Sequence, residues 1–358
     1  MARRLAVVGA GPVGLAAAIG ALDRGFEVTV LEAGEVGASL RDWGATRFFT
    51  PLRMNVHRAM DDESLHNSLL TGPEYVDRVL LPLAEKLNVK TSTRVVSITR
   101  RGLTRTDYAG HPLRAERPFR ILTSTDEIFE ADVVLDASGS ALPIPLAARG
   151  AAGTRIIRTL GELDARRNEW SGKRVLVAGH GHSAANALLE LREGGAEITW
   201  AVRTANRNPC AEIANDPLPE RQRVAAAANA MAQTIRVERR ASIESIEGTA
   251  VQWTVHLTGN RSVEADVIVA MTGYRPANDF TTELALETSP VSEGGARLYR
   301  AISNITDCLC VPTLAREDFA SGEPNYFFIG ARAYGRSRTF LLQTGLAQVE
   351  TILESLHD

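Results

Sequence analysis

The chain has 358 residues, long enough for two domains, and 44% hydrophobic against 23% charged residues is the balance of a soluble globular protein. A formal net charge of −3 gives no reason to expect nucleic acid or an anionic membrane as a partner. Three cysteines, Cys210, Cys308 and Cys310, are too few for a disulfide framework and fit a reducing compartment, and glycines and Pro12 interrupt the apolar N-terminal stretch, so neither a signal peptide nor a spanning helix is expected there and a cytoplasmic location is.

Arg4-Leu-Ala-Val-Val reads as a short apolar strand. Gly9-Ala-Gly11-Pro12-Val13-Gly14 follows, then a helix of small residues. This is the G-x-G-x-x-G order of a dinucleotide turn. The first glycine makes the strand-to-helix turn, the second lets the backbone approach a pyrophosphate, and the third lets helix and strand pack closely. The pyrophosphate then sits on the free N–H groups and positive end of the helix. After Gly25 comes a second strand, Phe26-Glu-Val-Thr-Val-Leu, closed by Glu32 and Ala33. An acid in that place can accept both hydroxyls of an adenosine ribose.

Phe119-Arg-Ile-Leu-Thr, a polar turn and Glu130-Ala-Asp-Val-Val-Leu-Asp-Ala137-Ser138-Gly139 read as a hairpin feeding a buried strand. Gly150-Ala-Ala-Gly-Thr is the expected crossing into a second domain. There the first design returns. Lys173-Arg-Val-Leu-Val-Ala is a strand, Gly179-His180-Gly181-His182-Ser183-Ala184 is G-x-G-x-x-A, and a helix follows. Counted from the first glycine, Val202 takes the place of Glu32, and Arg203 comes next. An unmodified ribose would lose its acceptor there, whereas a 2′-phosphate would gain a cation. FAD is therefore expected at the first turn and NADPH at the second, with Arg203 as an ordinary surface charge the other reading. Val251-Gln-Trp-Thr-Val-His-Leu, a Thr-Gly-Asn turn and Glu264-Ala-Asp-Val-Ile-Val-Ala-Met-Thr272-Gly273 then repeat the hairpin and buried strand. Each copy is one nucleotide-binding module. The strand Tyr326-Phe-Phe-Ile-Gly330 and the helix from Arg338 should return to complete the first sheet.

The expected fold is therefore α/β, with two Rossmann-like dinucleotide-binding domains and the NADPH domain (151–276) inserted into the FAD domain (1–150 and 277–358). These ordered motifs resemble the two-dinucleotide-binding-domain flavoproteins, which include thioredoxin reductases and class B flavin monooxygenases. Ser39-Leu-Arg41-Asp-Trp43 looks like the segment that borders the flavin in the monooxygenases, and Met271-Thr-Gly-Tyr-Arg-Pro is similar to their A-T-G-Y-R-P stretch. With Tyr334-Gly-Arg336-Ser-Arg338-Thr-Phe340-Leu, the chain looks closest to a bacterial subgroup of such flavoproteins. The resemblance implies FAD contacts at Gly9, Gly11, Pro12, Val13, Gly14, Glu32, Ala33, Arg41, Trp43, Val95, Ala137, Ser138, Gly139, Gly330 and Phe340. It implies NADPH contacts at Gly179, Gly181, His182, Ser183, Ala184, Arg203, Thr272 and Gly273.

Two departures bear on the reaction. The NADPH domain lacks the Cys-x-x-Cys dithiol of thioredoxin reductases and offers only Cys210. The F-x-G-x-x-x-H signature of class B monooxygenases is replaced by Arg158-Thr-Leu-Gly-Glu-Leu-Asp-Ala, and the usual Gly-Asp of the flavin strand reads Gly330-Ala331. Trp43 reads either as a wall of the flavin site or as a core tryptophan. Arg41, Arg47 and Arg53 read as phosphate or substrate cations or as solvated charges. Arg332, Arg336 and Arg338, with Tyr334, read as a carboxylate or phosphate site or as a basic loop. Histidine as a residue type suits acid–base work near neutral pH, so His57 and His66 read as acid–base groups or as surface or packing residues. Cys308 and Cys310 read as a redox pair or as structural residues. No metal pattern is present.

The leading expectation is an FAD- and NADPH-dependent monooxygenase that oxygenates a small organic substrate through a flavin hydroperoxide, with dioxygen as co-substrate. A reductase that passes electrons to another acceptor, and a non-catalytic redox sensor that only binds both cofactors, are the alternatives. The oligomeric state stays open, a homodimer included.

Overall fold

The computed structural model describes residues 2–56, 65–249 and 252–357. Two five-stranded parallel sheets organise the chain. The first has the order Tyr326–Phe328, Val133–Asp136, Arg4–Val8, Glu27–Leu31, Val89–Lys90. The second has the order Ile156–Ile157, Val267–Ala270, Arg174–Ala178, Glu197–Val202, Arg236–Arg239. The strand that feeds each glycine turn is central in its sheet, so the turn opens at the carboxyl edge, where open α/β sheets bind ligands. These strands are almost wholly apolar because helices or a further sheet cover both of their faces.

Strands Phe119–Thr123 and Ile128–Ala131 pair as the sequence suggests, and Val95–Arg100 adds a third strand on the side of Phe119–Thr123. The second unit repeats this with Ile243–Thr249, Gln252–Leu257 and Arg261–Ala265. Each expected hairpin is thus part of a three-stranded antiparallel sheet. The sequence reading missed the extra strands because each carries a register shift that breaks its alternation.

Tyr326–Phe328 returns to the first sheet and the helix follows, beginning at Leu342 and not at Arg338 as expected; its buried Val349, Ile352 and Leu353 join the core of that sheet. All strands of the second sheet lie between Leu142–Pro143 and Tyr274–Arg275, and these two short strands pair antiparallel. Gly150 lies within the second unit: a Cβ there would fall 2.1 Å from the Ile246 carbonyl oxygen. Leu146 and Ala148 also pack on that unit's core.

Candidate functional site

At the first turn Gly9 has φ +101°, and a Cβ there would lie 2.6 Å from the Ala137 carbonyl oxygen. Only glycine fits. The contact places Ala137-Ser138-Gly139 against the turn. Gly14 packs as closely, since its Cβ would fall 2.1 Å from the Gly9 oxygen. Gly11 differs, because a Cβ there would meet nothing within 4 Å. Space is thus left where a pyrophosphate would approach. Pro12 opens the helix Pro12–Asp23, where its missing N–H costs no helical hydrogen bond.

Glu32 closes the neighbouring strand and is held from both sides. Its Oε2 accepts from the Ala10 N–H at 2.7 Å and its Oε1 from the Gly34 N–H at 2.9 Å. Each oxygen keeps a second lone pair for a hydroxyl. Ala33 follows Glu32 directly in the chain, ahead of Gly34, and Val95 is buried at the start of its strand. From the C-terminal segment, Gly330 (φ +60°) stands over Val13, whose Cβ is 3.0 Å from the position a Gly330 Cβ would take. Gln348 fixes this approach by accepting from the Gly330 N–H and donating to the Phe328 carbonyl, each at 2.9 Å. The ring of Phe340 packs on Gly345 and lies 5.2 Å from that of Tyr334. The buried hydroxyls of Ser138 and Ser140 have no hydrogen-bond partner among the described residues. Orphaned donors and a vacant approach over Gly11 fit a polar dinucleotide such as FAD.

The second turn has the same construction. Gly179 has φ +124° and its Cβ would fall 2.3 Å from the Met271 carbonyl oxygen. Gly181 is open, and His182-Ser183-Ala184 begins the helix His182–Glu193. The Trp200 indole N–H pins the turn by donating to the Gly179 carbonyl at 2.6 Å. Thr272 donates to the Ile144 carbonyl at 3.1 Å, and Gly273 (φ +98°) follows. Gly9 N–H bonds the Leu31 carbonyl and Gly179 N–H bonds the Ala201 carbonyl, so Glu32 and Val202 occupy equivalent places. Val202 is buried, and Arg203 is exposed with no ion pair among the described residues. Burial lowers the pKa of both His180 and His182, with Arg203 and Arg338 adding to it at His180 and Arg221 and Arg338 at His182. Phe49 sets its ring edge against His182 at 5.1 Å.

Several cations named from sequence have protein partners instead of open sites. Arg41 pairs with Asp77 at 2.8 Å. Arg47 donates to the Leu69 carbonyl at 2.6 Å, and Arg53 donates to Asn67. Arg336 pairs with Glu293 at 2.9 Å. Arg332 is fully buried on Asp136, so it does not belong to an exposed basic cluster. Tyr334 is buried too, whereas Trp43 stands at the surface with its ring 4.8 Å from Phe48. His57 lies outside the described residues. His66 accepts at its carbonyl from the Arg53 N–H. Burial pushes the Cys210 thiol up to about 11. Cys308 is half-buried with its Sγ 3.1 Å from an Arg221 nitrogen, and Cys310 is exposed. Sequence reasoning missed Asp136, although an acid ending a buried strand directly before Ala137 was a signal.

A protein-family model described as pyridine nucleotide-disulphide oxidoreductase matches residues 6–294. The chain belongs to the pyridine nucleotide-disulphide oxidoreductase family. Membership makes it an oxidoreductase and implies a flavin and a nicotinamide nucleotide in general terms. Among solved structures, the bacillithiol disulfide reductase Bdr of Staphylococcus aureus superposes with a TM-score of 0.74 at 18% identity, covering 99% of this chain and 98% of that one. A flavin monooxygenase mutant from Stenotrophomonas maltophilia gives 0.69 at 18%, covering 99% and 98%. The thioredoxin reductase of T. acidophilum gives 0.67 at 16%, covering 99% and 100%. At these identities the likeness shows the two-dinucleotide flavoprotein fold. No curated protein matches the sequence significantly. Among the described residues no side-chain group is arranged to hold a metal, and no helix is long and apolar enough to cross a membrane.

Proposed function

We propose that the chain is an FAD-dependent, NADPH-using oxidoreductase whose flavin gives its electrons directly to small molecules, with oxygenation of a small organic substrate by dioxygen as the reaction. The supporting observation is the placement of the thiols. Cys210 is buried, Cys308 is engaged by Arg221, and the groups gathered at the first turn are Val13, Ser138, Gly330 and Phe340, with no cysteine. A dithiol relay beside the flavin has no residues to build it.

Bound FAD supplies two-electron acceptance from the reduced nicotinamide and onward donation. The chain's residues bind and orient. Glu32 takes the adenosine ribose of FAD, and the free N–H groups of Val13 and Gly14 take its pyrophosphate. Ser138 offers its unpaired hydroxyl. Tyr334, Phe340 and Val13 form an apolar wall that keeps water from the reacting centre. Arg203 takes the NADPH 2′-phosphate, where Val202 leaves no acid to repel it. In place of the sequence bounds of 151–276, the NADPH domain is taken as 144–273 and the FAD domain as 1–143 and 274–358, with the crossing at the paired strands Leu142–Pro143 and Tyr274–Arg275. A cytoplasmic site and a homodimer complete the proposal.

The test is anaerobic mixing with NADPH, then air, while the flavin spectrum is followed. Rapid bleaching, then an oxygen-dependent transient before reoxidation, is the expected result. Bleaching with direct reoxidation, with substrate candidates present, would favour the second reading, a reductase. That reading draws on the likeness to bacillithiol disulfide reductases. No bleaching would leave only a binding or sensing role.

A further inference from the structure

The segment 37–50 runs from the first glycine turn to the second unit. It starts with the Gly37 N–H, which donates to the Ala10 carbonyl at 3.1 Å inside the first turn. Further on, the Asp42 carbonyl accepts from the Gly161 N–H at 2.6 Å. Gly161 belongs to the short helix Leu160–Asp164, whose Leu160 and Leu163 lie in the second unit's core. The contact has no slack on either side. A Cβ on Gly161 would fall 2.9 Å from the Asp42 backbone, and one on Gly44 would fall 2.7 Å from the Asp164 Cβ. The segment then reaches Phe49, whose ring lies 5.1 Å from that of His182 at the start of the helix His182–Glu193. A third helix, Pro219–Met231, carries Arg221, which reaches Asp307 at 3.4 Å and Cys308 at 3.1 Å in the C-terminal segment. The Tyr274 hydroxyl, in the crossing strand, donates to the Arg158 carbonyl just ahead of Gly161 at 3.1 Å.

We propose that the contact of Gly161 with Asp42 is a fixed joint that positions the nicotinamide nucleotide against the flavin, with Gly161 as its positioning residue and the two units docked throughout turnover. What the joint positions rests on the reading of two bound dinucleotides. One contact would leave the second unit free to pivot, whereas contacts through three separate helices remove that freedom. The helix itself does not need glycine at 161. Gly161 has no left-handed φ, and alanine is the better helix former. The missing Cβ serves the approach of Asp42 instead. The Gly161 N–H is free for the same contact, because N–H groups in the first turn of a helix have no acceptor within it. Hydride transfer needs such a joint, since a misplacement of about 1 Å can cost about a hundred-fold in rate. Units that stay together also pass their electrons to a small, diffusing acceptor and not to a folded protein that would have to enter between them.

Amide exchange at single residues of the FAD-loaded protein tests the joint without turnover. Among the described residues the Gly161 N–H bonds only Asp42, in the other unit, so its exchange reports docking. It should exchange roughly a hundred-fold more slowly than an unstructured chain in the oxidised protein, with NADP+ added, and after reduction by dithionite. Fast exchange in any of these states would overturn the proposal. Gly161→Ala adds a kinetic arm, because its Cβ must displace the Asp42 backbone. Flavin reduction by NADPH should slow about ten-fold, while affinities for FAD and NADP+ stay within about two-fold. Gly153→Ala, whose Cβ meets nothing within 4 Å, should change none of these. Reduction of Gly161→Ala at the wild-type rate, or a loss of NADP+ affinity in step with the rate, would overturn the positioning role. A Gly161 that stays protected in a wild-type protein whose flavin NADPH never bleaches would overturn the dinucleotide reading, and the positioning role with it.

Discussion

The Arg332 guanidinium meets the Asp136 carboxylate at 2.9 Å, and neither side chain is exposed. Tyr326 donates to the same Asp136 oxygen at 2.9 Å, and Arg332 also reaches Asn278 and the Glu293 carbonyl. The other Asp136 oxygen accepts from the Ser138 N–H at 3.1 Å. One carboxylate therefore joins the C-terminal segment to the loop that borders the first glycine turn.

Removing one partner of such a pair strands the other charge in a dry interior, which costs about 3–5 kcal/mol. Asp136→Ala should lower the thermal midpoint sharply and release FAD at temperatures where the wild type retains it. Arg332→Met, which fills the space with apolar atoms, should also lower the midpoint because Asp136 then keeps a buried charge with only the neutral Tyr326 hydroxyl and Ser138 N–H as partners. The double variant should recover part of the loss. Calorimetry with flavin fluorescence checks all three, and strict additivity of the single effects would refute the coupling.

Gly9 and Gly11 should respond differently to alanine. Gly9→Ala forces a Cβ into the Ala137 carbonyl at a left-handed φ, so the apoprotein itself should be destabilised. Gly11→Ala meets no protein atom and has an ordinary φ of −82°. Its apoprotein should melt like the wild type while FAD affinity falls at least ten-fold. Differential scanning fluorimetry and flavin titration separate the two.

Glu323 is shared by Arg100 at 2.8 Å and Arg114 at 2.9 Å, all three buried. Burial pushes its carboxyl up, but the hydrogen bonds from Arg114, Arg100 and the Ala285 N–H outweigh this and hold it below the usual range. A depressed carboxyl stabilises the fold fully above its unfolded value, about 4.3, and this is lost as pH falls through the lower folded value. Acid denaturation should therefore have a Glu323 component below about pH 4.3. Glu323→Gln should remove that component and lower stability at pH 7, as read by urea midpoints across pH.

Glu190 has the opposite sign. Burial, reinforced by Asp164, pushes its carboxyl up to about 7, and one of its oxygens has no partner. The folded protein favours the protonated form, so this side chain costs stability progressively as pH rises from about 4.3 towards 7. Glu190→Gln should leave stability nearly unchanged at pH 4.5 and raise it at pH 8. Equal effects at both pH values would contradict the assignment.

The thiols should separate by rate. With an aromatic disulfide reagent, exposed Cys310 reacts first and half-buried Cys308 more slowly, while Cys210 waits for unfolding. Arg221→Ala should change the Cys308 rate and leave that of Cys310 alone.

What sequence revealed was chemistry imposed by neighbours along the chain. Gly9, Gly14 and Gly179 are glycines because backbone atoms crowd them, and that need shows as a spaced motif. The exchange of Glu32 for Val202 was visible because both sit one step past the residue that bonds the first glycine. Pairings across long separations left no such trace. Nothing near Arg332 marks its partner 196 residues away, so it read like Arg336 and Arg338, although Arg332 is buried on Asp136, Arg336 is paired with Glu293 and Arg338 is exposed. Arg41 likewise looked available because Asp77 comes alongside it only in the folded chain.

Leu142 and Arg275 are paired across the antiparallel strands that lead into and out of the second sheet. Paired positions in such a ladder lie roughly 5 Å apart, a gap that a two-residue hairpin turn closes. The second sheet is therefore a cassette. Excising 144–273 and rejoining the ends with Asn-Gly leaves every strand of the first sheet in place. A substitute unit needs only that its own ends meet, which makes this junction a natural place for recombination.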